Sequence, residues 1–243
     1  MSKATLLELM HKSCGNGILT HILLSEGYIG EGFDLRARVS WSHYPQETQR
    51  HLHVQPFNPF ESHPQLRPST FLIGNHADEL TPWIPVMSAL LPASGYLSIP
   101  CCPWDFDARF ERGRAGGFQV PQFEPKSKEH EAFVDGLMLG AEGQGGTSYS
   151  KYRIWLAYLS QACGWKVECE MLRIPSTRNW AIVGRRYFLD AFMVSDGTLP
   201  ILGRVRMDPE DGHKVAQSIL YTVRERDIFK ARTPEGRRRI WTS

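Results

Sequence analysis

A glycine-rich turn, followed by a helix, a strand and an acid, limits the folds open to this chain. The turn is Cys14-Gly15-Asn16-Gly17, and apolar positions in residues 18–23 then share one helical face before Gly27 ends the helix. Residues 28–34 have the pattern of a strand that ends in Asp34. In this arrangement the glycines let the backbone approach a nucleotide, and the acid can bind ribose hydroxyls. The pattern predicts the nucleotide-binding half of a Rossmann-like α/β fold.

The same segment indicates which nucleotide is bound. The third glycine of the dinucleotide fingerprint is absent, because Thr20 stands in its place. S-adenosylmethionine carries no pyrophosphate, needs only the tight turn and still presents a ribose to the acid. We therefore favour S-adenosyl-L-methionine as the cofactor over NAD, and a transferase over an oxidoreductase. The predicted cofactor-binding residues here are Cys14, Gly15, Asn16, Gly17 and Asp34.

A second motif begins with an apolar run at residues 70–73, which has the composition of a buried strand. Gly74 then permits a turn, and Asn75-His76-Ala77-Asp78-Glu79 supplies groups that donate, accept or titrate. Thr81-Pro82 has the pattern of an N-cap and first helical residue, so a helix is expected from Trp83. Open α/β sheets place their chemistry at such strand ends. The alternative is a well-capped loop in which the polar side chains only satisfy backbone groups.

The rest of the chain is consistent with one domain, 1–243. Strands are expected at 95–100, 165–174 and 180–184, and helices at 129–139, 149–162 and 214–229. Residues 111–129 and 140–148 are expected to be loops, and 230–243 a basic tail. Only Thr5–Leu9 remains for a first strand, and Lys12 after it would fit poorly inside a parallel sheet. The first strand is therefore expected to be incomplete.

Charge, cysteine content and hydropathy argue against a strongly basic nucleic-acid binder, a disulfide-bonded protein and a membrane protein. The net charge of +2 does not indicate a nucleic-acid binder, so any basic surface must be local. The five cysteines include no CxxC pair, which favours a reducing compartment, and Cys101 and Cys102 are expected to be small buried groups. Because no apolar run approaches membrane length and no signal peptide is evident, a cytoplasmic protein without membrane contact is expected.

Three weaker signals leave alternatives open. His51 and His53 lack a cysteine or carboxylate at ligand spacing, so they are expected to be loop histidines rather than a metal site. Phe57 could lie against an adenine or serve as a packing anchor. The donor-rich turn 175–179 would suit a phosphate, or it could be a plain Asx-type turn.

Four segments resemble one known family. They are CGNGILTHILLSEGYIGEGFDLRAR, FLIGNHADELTPWIP, SIPCCPWDFD and EMLRIPSTRN, in that order between residues 14 and 185. The family is the eukaryotic tRNA (uracil-2'-O-)-methyltransferases that modify uridine 44 of serine tRNA. The resemblance implies a class I S-adenosylmethionine-dependent methyltransferase fold, with helices on both faces of the sheet. It also implies methyl transfer to a ribose 2'-hydroxyl of tRNA.

The resemblance suggests roles for the second motif and for the donor-rich turn. Asp78 is the first choice of catalytic base, followed by His76 and Glu79, and Asn75 is expected to contact the methionine part of the cofactor. The expected RNA-binding residues are Arg173, Ser176, Thr177, Arg178 and Asn179. The family has an acid-terminated strand before its glycine turn, where this chain has His11-Lys12-Ser13. A truncated, catalytically inactive relative that binds tRNA or a partner is therefore the alternative function.

Overall fold

The structure is a computed structural model of the chain. It describes residues 8–12, 14–61, 69–91, 93–106, 108–110, 126–139, 147–186, 209–227 and 229. The predicted loops fall largely outside these ranges, as do the basic tail and the start of the predicted first strand. Because α4 begins at Lys128, the predicted loop 111–129 ends earlier than expected.

Seven strands form one sheet, in the order β3-β2-β1-β4-β5-β7-β6. The strands are β1 (Glu8–Lys12), β2 (Ile29–Asp34), β3 (Leu52–Val54), β4 (Phe71–Asn75), β5 (Gly95–Ile99), β6 (Lys166–Met171) and β7 (Trp180–Arg185). Strands β1 to β5 pair in parallel, whereas β7 runs antiparallel to both of its neighbours. The parallel order 3-2-1-4-5 is that of a doubly wound sheet. The predicted Rossmann-like α/β fold is confirmed.

The first strand departs from the sequence prediction. It spans Glu8–Lys12 instead of Thr5–Leu9, and it pairs with β2 over five residues and with β4 over four. Lys12 lies in the ladder, opposite Phe33 on one side and Gly74 on the other. Lys12 was expected to fit poorly inside a parallel sheet, yet its backbone pairs with a neighbouring strand on each side. Within the described residues β1 is as long as β4 and β5.

The six α-helices of the described chain cover both faces of the sheet. They are α1 (Ile18–Ser25), α2 (Gln46–Arg50), α3 (Trp83–Leu90), α4 (Lys128–Gly136), α5 (Ser148–Ala162) and α6 (Pro209–Glu225). A Cβ on Gly32 would meet Thr20 of α1, whereas a Cβ on Gly74 would meet Ile84 of α3. Gly32 and Ile73 share one row across β1, so Gly74 faces the opposite side. The predicted helices on both faces are confirmed.

Two local predictions need correction. Helix α3 does begin at Trp83, but no side chain caps it, and Pro82 rather than Thr81 is its N-cap. His51 and His53 were expected to be loop histidines, yet residues 46–54 contain α2 and β3, and His53 lies in β3. Short segments such as β3 form because a neighbouring strand offers an edge for pairing, which outweighs weak local propensity. No helix in the described ranges has both the length and the apolarity needed to span a bilayer.

The face that carries α3, α5 and α6 holds the main hydrophobic core. Tyr96 of β5 lies fully buried there, and its hydroxyl donates to Ser160 Oγ on α5 at 2.6 Å. Gly184 of β7 lies directly beneath the Tyr96 ring, where a Cβ would overlap the ring carbons. The glycine therefore lets Tyr96 occupy this part of the core.

We expect Gly184→Ala to destabilise the fold by about 1–3 kcal/mol or more, because the ring cannot move without losing its hydrogen bond. Gly136→Ala is the matched control, since a Cβ there meets no atom within 4 Å. The control should leave stability unchanged or raise it by up to about 1 kcal/mol. Urea unfolding of both variants measures the difference. Equal midpoints for Gly184→Ala and wild type would contradict the packing described here.

Candidate active site

The polar ends of β2 and β4 lie in one row at the carboxyl edge of the sheet. Phe33 and Gly74 both pair with Lys12, so Asp34 and Asn75 each follow by one residue. Two strand spacings separate their Cα atoms, which corresponds to about 9.5 Å. Asn75 in turn pairs with Ile99, the last residue of β5. The two sequence motifs therefore meet at the place where open α/β sheets bind ligands.

The glycine turn is tied to the end of β2. Gly15 and Gly17 have positive φ angles of 56° and 79°, which favour glycine. The Gly15 N–H donates to Asp34 Oδ2 at 2.9 Å, and the Trp41 indole donates to the Gly15 carbonyl at 2.9 Å. A Cβ added to Gly15 meets no described atom within 4 Å, so a ligand can approach this backbone closely. The turn has the form that the sequence predicts.

Asp34 connects the turn with the chain that follows β2. Its second oxygen, Oδ1, accepts from the Arg36 N–H at 3.3 Å and lies 3.8 Å from Arg38 Nη2. The side chain is 8% exposed, so it is mostly buried yet reachable. A carboxylate has about four lone-pair sites, which leaves capacity for ribose hydroxyls. The position fits the predicted ribose contact.

The side chains of Asn16 and Cys14 stabilise the turn. The Asn16 side chain accepts from the Ile18 N–H at 3.1 Å and so helps to begin α1. Cys14 is buried against Trp41 and Leu52, and burial, with a smaller effect of Asp34, raises the pKa of its thiol to about 12. The Cys14 thiol is therefore a packing group, and the predicted role of Cys14 in cofactor binding stays a prediction.

The contact between α1 and β2 explains why Thr20 can stand where the dinucleotide fingerprint has its third glycine. Thr20 of α1 lies against Gly32, where a Cβ would approach Thr20 Oγ1 to 2.6 Å. The close contact between helix and strand normally needs a glycine on the helix. Here the glycine is on the strand, so the helix tolerates the larger threonine.

Phe57 is 8% exposed and belongs to the main hydrophobic core. Of the two alternatives left by the sequence, the structure favours the packing anchor over the adenine contact. Its contact with an adenine stays a prediction.

The turn after β4 holds the three candidate bases. His76 and Asp78 have positive φ angles of 53° and 47°, which non-glycine residues seldom adopt. The His76 N–H donates to the Ile99 carbonyl at 3.1 Å, so the turn remains attached to the end of β5. Asp78 and Glu79 are half-buried and His76 is exposed. All three lie just beyond Asn75, which is also half-buried.

Cys101 contacts Asp78 directly. Its thiol donates to Asp78 Oδ1 at 3.1 Å. Burial, followed by this hydrogen bond and the negative charge of Asp78, raises the pKa of Cys101 to about 12. Cys101 is half-buried and Cys102 is exposed, so the expectation that both are buried groups was wrong. A run of two cysteines after a strand gives no sequence signal of a contact with an acid 23 residues earlier.

One residue of the donor-rich turn between β6 and β7 reaches this region. The Arg178 guanidinium lies 4.1 Å from the centre of the Tyr149 ring, and the Tyr149 hydroxyl donates to the Pro100 carbonyl at 2.7 Å. Pro100 immediately precedes Cys101. Arg178 is therefore linked to the end of β5 through the Tyr149 ring, a contact that no sequence pattern indicates.

The other residues of that turn have different surroundings. The Ser176 hydroxyl accepts from the Arg178 N–H at 3.0 Å, and the Asn179 side chain donates to the Leu172 carbonyl at 3.1 Å. These bonds close the turn, as the plain-turn alternative expects. Arg173 and Thr177 are exposed. Their predicted contact with RNA stays a prediction.

His51 and His53 have a carboxylate partner that sequence spacing did not reveal. Glu31 of β2 lies 3.1 Å from His51 Nδ1 and 2.6 Å from His53 Nε2. His53 lies in β3 rather than in a loop, and its ring stacks on Phe33 at 5.1 Å. The carboxylate is on the neighbouring strand, 20 residues earlier in sequence than His51, so only the register of the sheet brings the groups together.

Comparison with known proteins supports a methyltransferase. Residues 2–59 match a family model described as a predicted AdoMet-dependent methyltransferase. The solved methyltransferase domain of bacterial CtHen1-CN covers 74% of this chain and 90% of its own, with a TM-score of 0.41 and 10% identity. That likeness is too weak to carry an argument, and the fold assignment rests on the sheet order. The strand order and the family model together indicate a class I methyltransferase fold. The family model also supports S-adenosylmethionine as the cofactor.

Curated relatives narrow the class. A Schizosaccharomyces pombe protein named tRNA (uracil-O(2)-)-methyltransferase is 37% identical, over 71% of this chain and 35% of its own length. The Saccharomyces cerevisiae protein of the same name is 34% identical, over 70% of this chain and 35% of its own length. A human protein named as a probable enzyme of this kind is 36% identical over 71% of this chain. The chain is a homologue of these tRNA (uracil-O(2)-)-methyltransferases and spans about a third of the length of the two yeast proteins.

We expect Asp34→Ala to weaken S-adenosylmethionine binding by about 1–3 kcal/mol, because ribose hydrogen bonds to a carboxylate are lost and the Gly15 N–H loses its partner. Glu26→Ala, just after α1, is the matched control, because it removes an exposed acid. Isothermal titration calorimetry gives the two affinities. Unchanged affinity in a folded Asp34 variant would place the ribose contact elsewhere.

Proposed function

We propose that this chain carries the cofactor-binding and catalytic fold of a tRNA ribose 2'-O-methyltransferase. The observation that carries the proposal is the row that joins Asp34 and Asn75, with Asp78 and Cys101 just beyond it. One side of this row has the features of a nucleoside site, and the other has a carboxylate suited to proton transfer. Because the relatives are much longer, activity, substrate and partners are assigned here as proposals.

The residues present fit S-adenosylmethionine. The open backbone at Gly15 and the carboxylate of Asp34 would hold the nucleoside, and Asn75 would contact the methionine part. When bound, the cofactor would supply its sulfonium methyl group to the ribose 2'-oxygen, with the thioether as the leaving group. The protein must hold the two reactants in line, which can contribute several kcal/mol.

Asp78 is the proposed general base. It accepts the proton of the 2'-hydroxyl as the oxygen attacks, a role worth about 10²–10⁴-fold in rate. Its carboxylate already accepts the Cys101 thiol at 3.1 Å, which fixes one of its oxygens. The turn that carries it is fixed in turn by the bond from the His76 N–H to β5. His76 and Glu79 remain the alternative bases.

Arg178 is the proposed contact for a tRNA phosphate next to the target nucleotide. Its guanidinium stacks on Tyr149, and the structure shows no carboxylate partner for it among the described residues. The planar guanidinium presents its N–H donors in one fork, which suits a bidentate phosphate contact. Arg153, fully buried, lies 4.8 Å from the same ring, and burial lowers the pKa of its guanidinium to about 10. Two cations on one ring favour an anion at this place.

The proposal is tested by methyl transfer from labelled S-adenosylmethionine to a serine tRNA transcript. We expect label in the transcript and none in a transcript with 2'-deoxyuridine at position 44, which lacks the acceptor hydroxyl. Asp78→Asn should lower the rate by about 10²–10⁴-fold with little change in cofactor affinity. Label in both transcripts would contradict ribose methylation at that uridine. Binding of tRNA without any transfer would favour the inactive relative.

We expect Arg178→Ala to weaken tRNA binding and to reduce the slope of log K against log salt by about 0.7–0.9, the value of one phosphate contact. Arg185→Ala is the matched control. Arg185 lies at the other end of β7, pairs with Gly95 at the start of β5, and is ion-paired with Glu168 at 2.9 Å. Filter binding over a range of salt concentrations measures both. Identical slopes for Arg178→Ala and wild type would remove Arg178 from the interface.

A further inference from the structure

A group of soft metal-binding atoms lies where β4 and β5 end. One carboxylate oxygen of Asp78 and the sulfur atoms of Cys101 and Cys102 all lie within 4.8 Å of one another. We propose that these three side chains form a binding site for a thiophilic divalent cation, Zn²⁺ above all. The described residues include no other group of three such ligands at this spacing, and the Glu31 cluster with His51 and His53 does not meet it.

The geometry is close to what zinc needs. Zinc binds thiolate sulfur at about 2.3 Å and carboxylate oxygen at about 2.1 Å in a tetrahedral arrangement. Ligand atoms at those bond lengths lie about 3.5–3.8 Å apart, so the group must contract only slightly. At present the Cys101 thiol donates to Asp78 Oδ1 at 3.1 Å, and a cation would take the place of that proton.

The backbone around the group is held in place independently of any metal. The His76 N–H is bonded to the Ile99 carbonyl at 3.1 Å, and the Tyr149 hydroxyl is bonded to the Pro100 carbonyl at 2.7 Å. Cys102 is exposed and Cys101 half-buried, so a cation can enter from solvent. Three protein ligands leave a fourth tetrahedral position for water or a bound oxygen, as in open zinc sites.

The chemistry of the ligands determines how binding depends on pH. Both thiols must lose their protons when they bind the cation, so binding releases protons and strengthens as pH rises.

One consequence rests on the proposed function. A cation bound to one oxygen of Asp78 would withdraw electron density from the whole carboxylate and make it a poorer proton acceptor. Zn²⁺ would therefore inhibit methyl transfer. Binding itself does not depend on tRNA or on activity, so its test is separate.

The experiment is titration of the reduced, metal-free chain with Co²⁺, followed by optical absorption. We expect one Co²⁺ per chain, with thiolate-to-cobalt bands in the near ultraviolet and tetrahedral bands in the visible, displaced by one equivalent of Zn²⁺. Cys101→Ser and Cys102→Ser should each lower affinity at least about tenfold and weaken the thiolate band, and Asp78→Asn should shift the visible bands. Cys169→Ser is the matched control, because Cys169 packs against the core from β6.

Absence of thiolate bands in the wild-type chain would overturn the proposal. Bands of undiminished intensity in the Cys101→Ser, Cys102→Ser double variant would also overturn it, because other cysteines would then be the ligands. Circular dichroism and thermal melts of each variant separate lost binding from lost fold. Inhibition of transfer by Zn²⁺ that persists in the double variant would contradict the consequence for Asp78 while leaving the binding result intact.

Discussion

The pairing of β1 with a parallel strand on each side is the constraint on which the site depends. Lys12 is opposite Phe33 and Gly74, so the next residues of β2 and β4, Asp34 and Asn75, emerge in one row. A shift of one residue in either pairing would turn these side chains to the other face of the sheet. The glycine turn after β1 then folds back until the Gly15 N–H reaches Asp34 at 2.9 Å. One register thus fixes the distance between the nucleoside site and the candidate bases, although the residues are far apart in sequence.

The second half of the site depends on the face that carries α5. Tyr149 lies in its first turn, which a capping box formed by Thr147 and Ser150 begins. The Tyr149 ring carries Arg178 on the loop between β6 and β7, and its hydroxyl holds the Pro100 carbonyl at the end of β5. Arg153, one turn later, lies between Tyr149 and Trp180 of β7, at 4.8 and 4.6 Å from the ring centres. Through Tyr149, the loop between β6 and β7 is linked to the carboxyl end of β5.

Local sequence patterns predicted the elements whose formation depends on residues close together in the sequence. The positive φ of Gly27 after α1, the strand that ends in Asp34 and the start of α3 at Trp83 could all be predicted from residues within a few positions. The position of β1 could not, because Lys12 disfavours a buried strand and only its two partners override that preference. Phe57, the contact of Cys101 with Asp78, and the stacking of Arg178 on Tyr149 were missed or left open for the same reason. Each depends on residues that the sheet brings together over long sequence distances, and sequence spacing carries no information about them.

The contact between Cys101 and Asp78 bears on how the candidate base works. A thiol with a pKa of about 12 keeps its proton at neutral pH, so it donates to Asp78 throughout the physiological range. The hydrogen bond from the thiol to Oδ1 orients the Asp78 carboxylate. In an in-line displacement at a sulfonium methyl group, alignment of the attacking oxygen can contribute several kcal/mol. In the proposed reaction, Asp78 would therefore position the 2'-hydroxyl and accept its proton as the new bond forms.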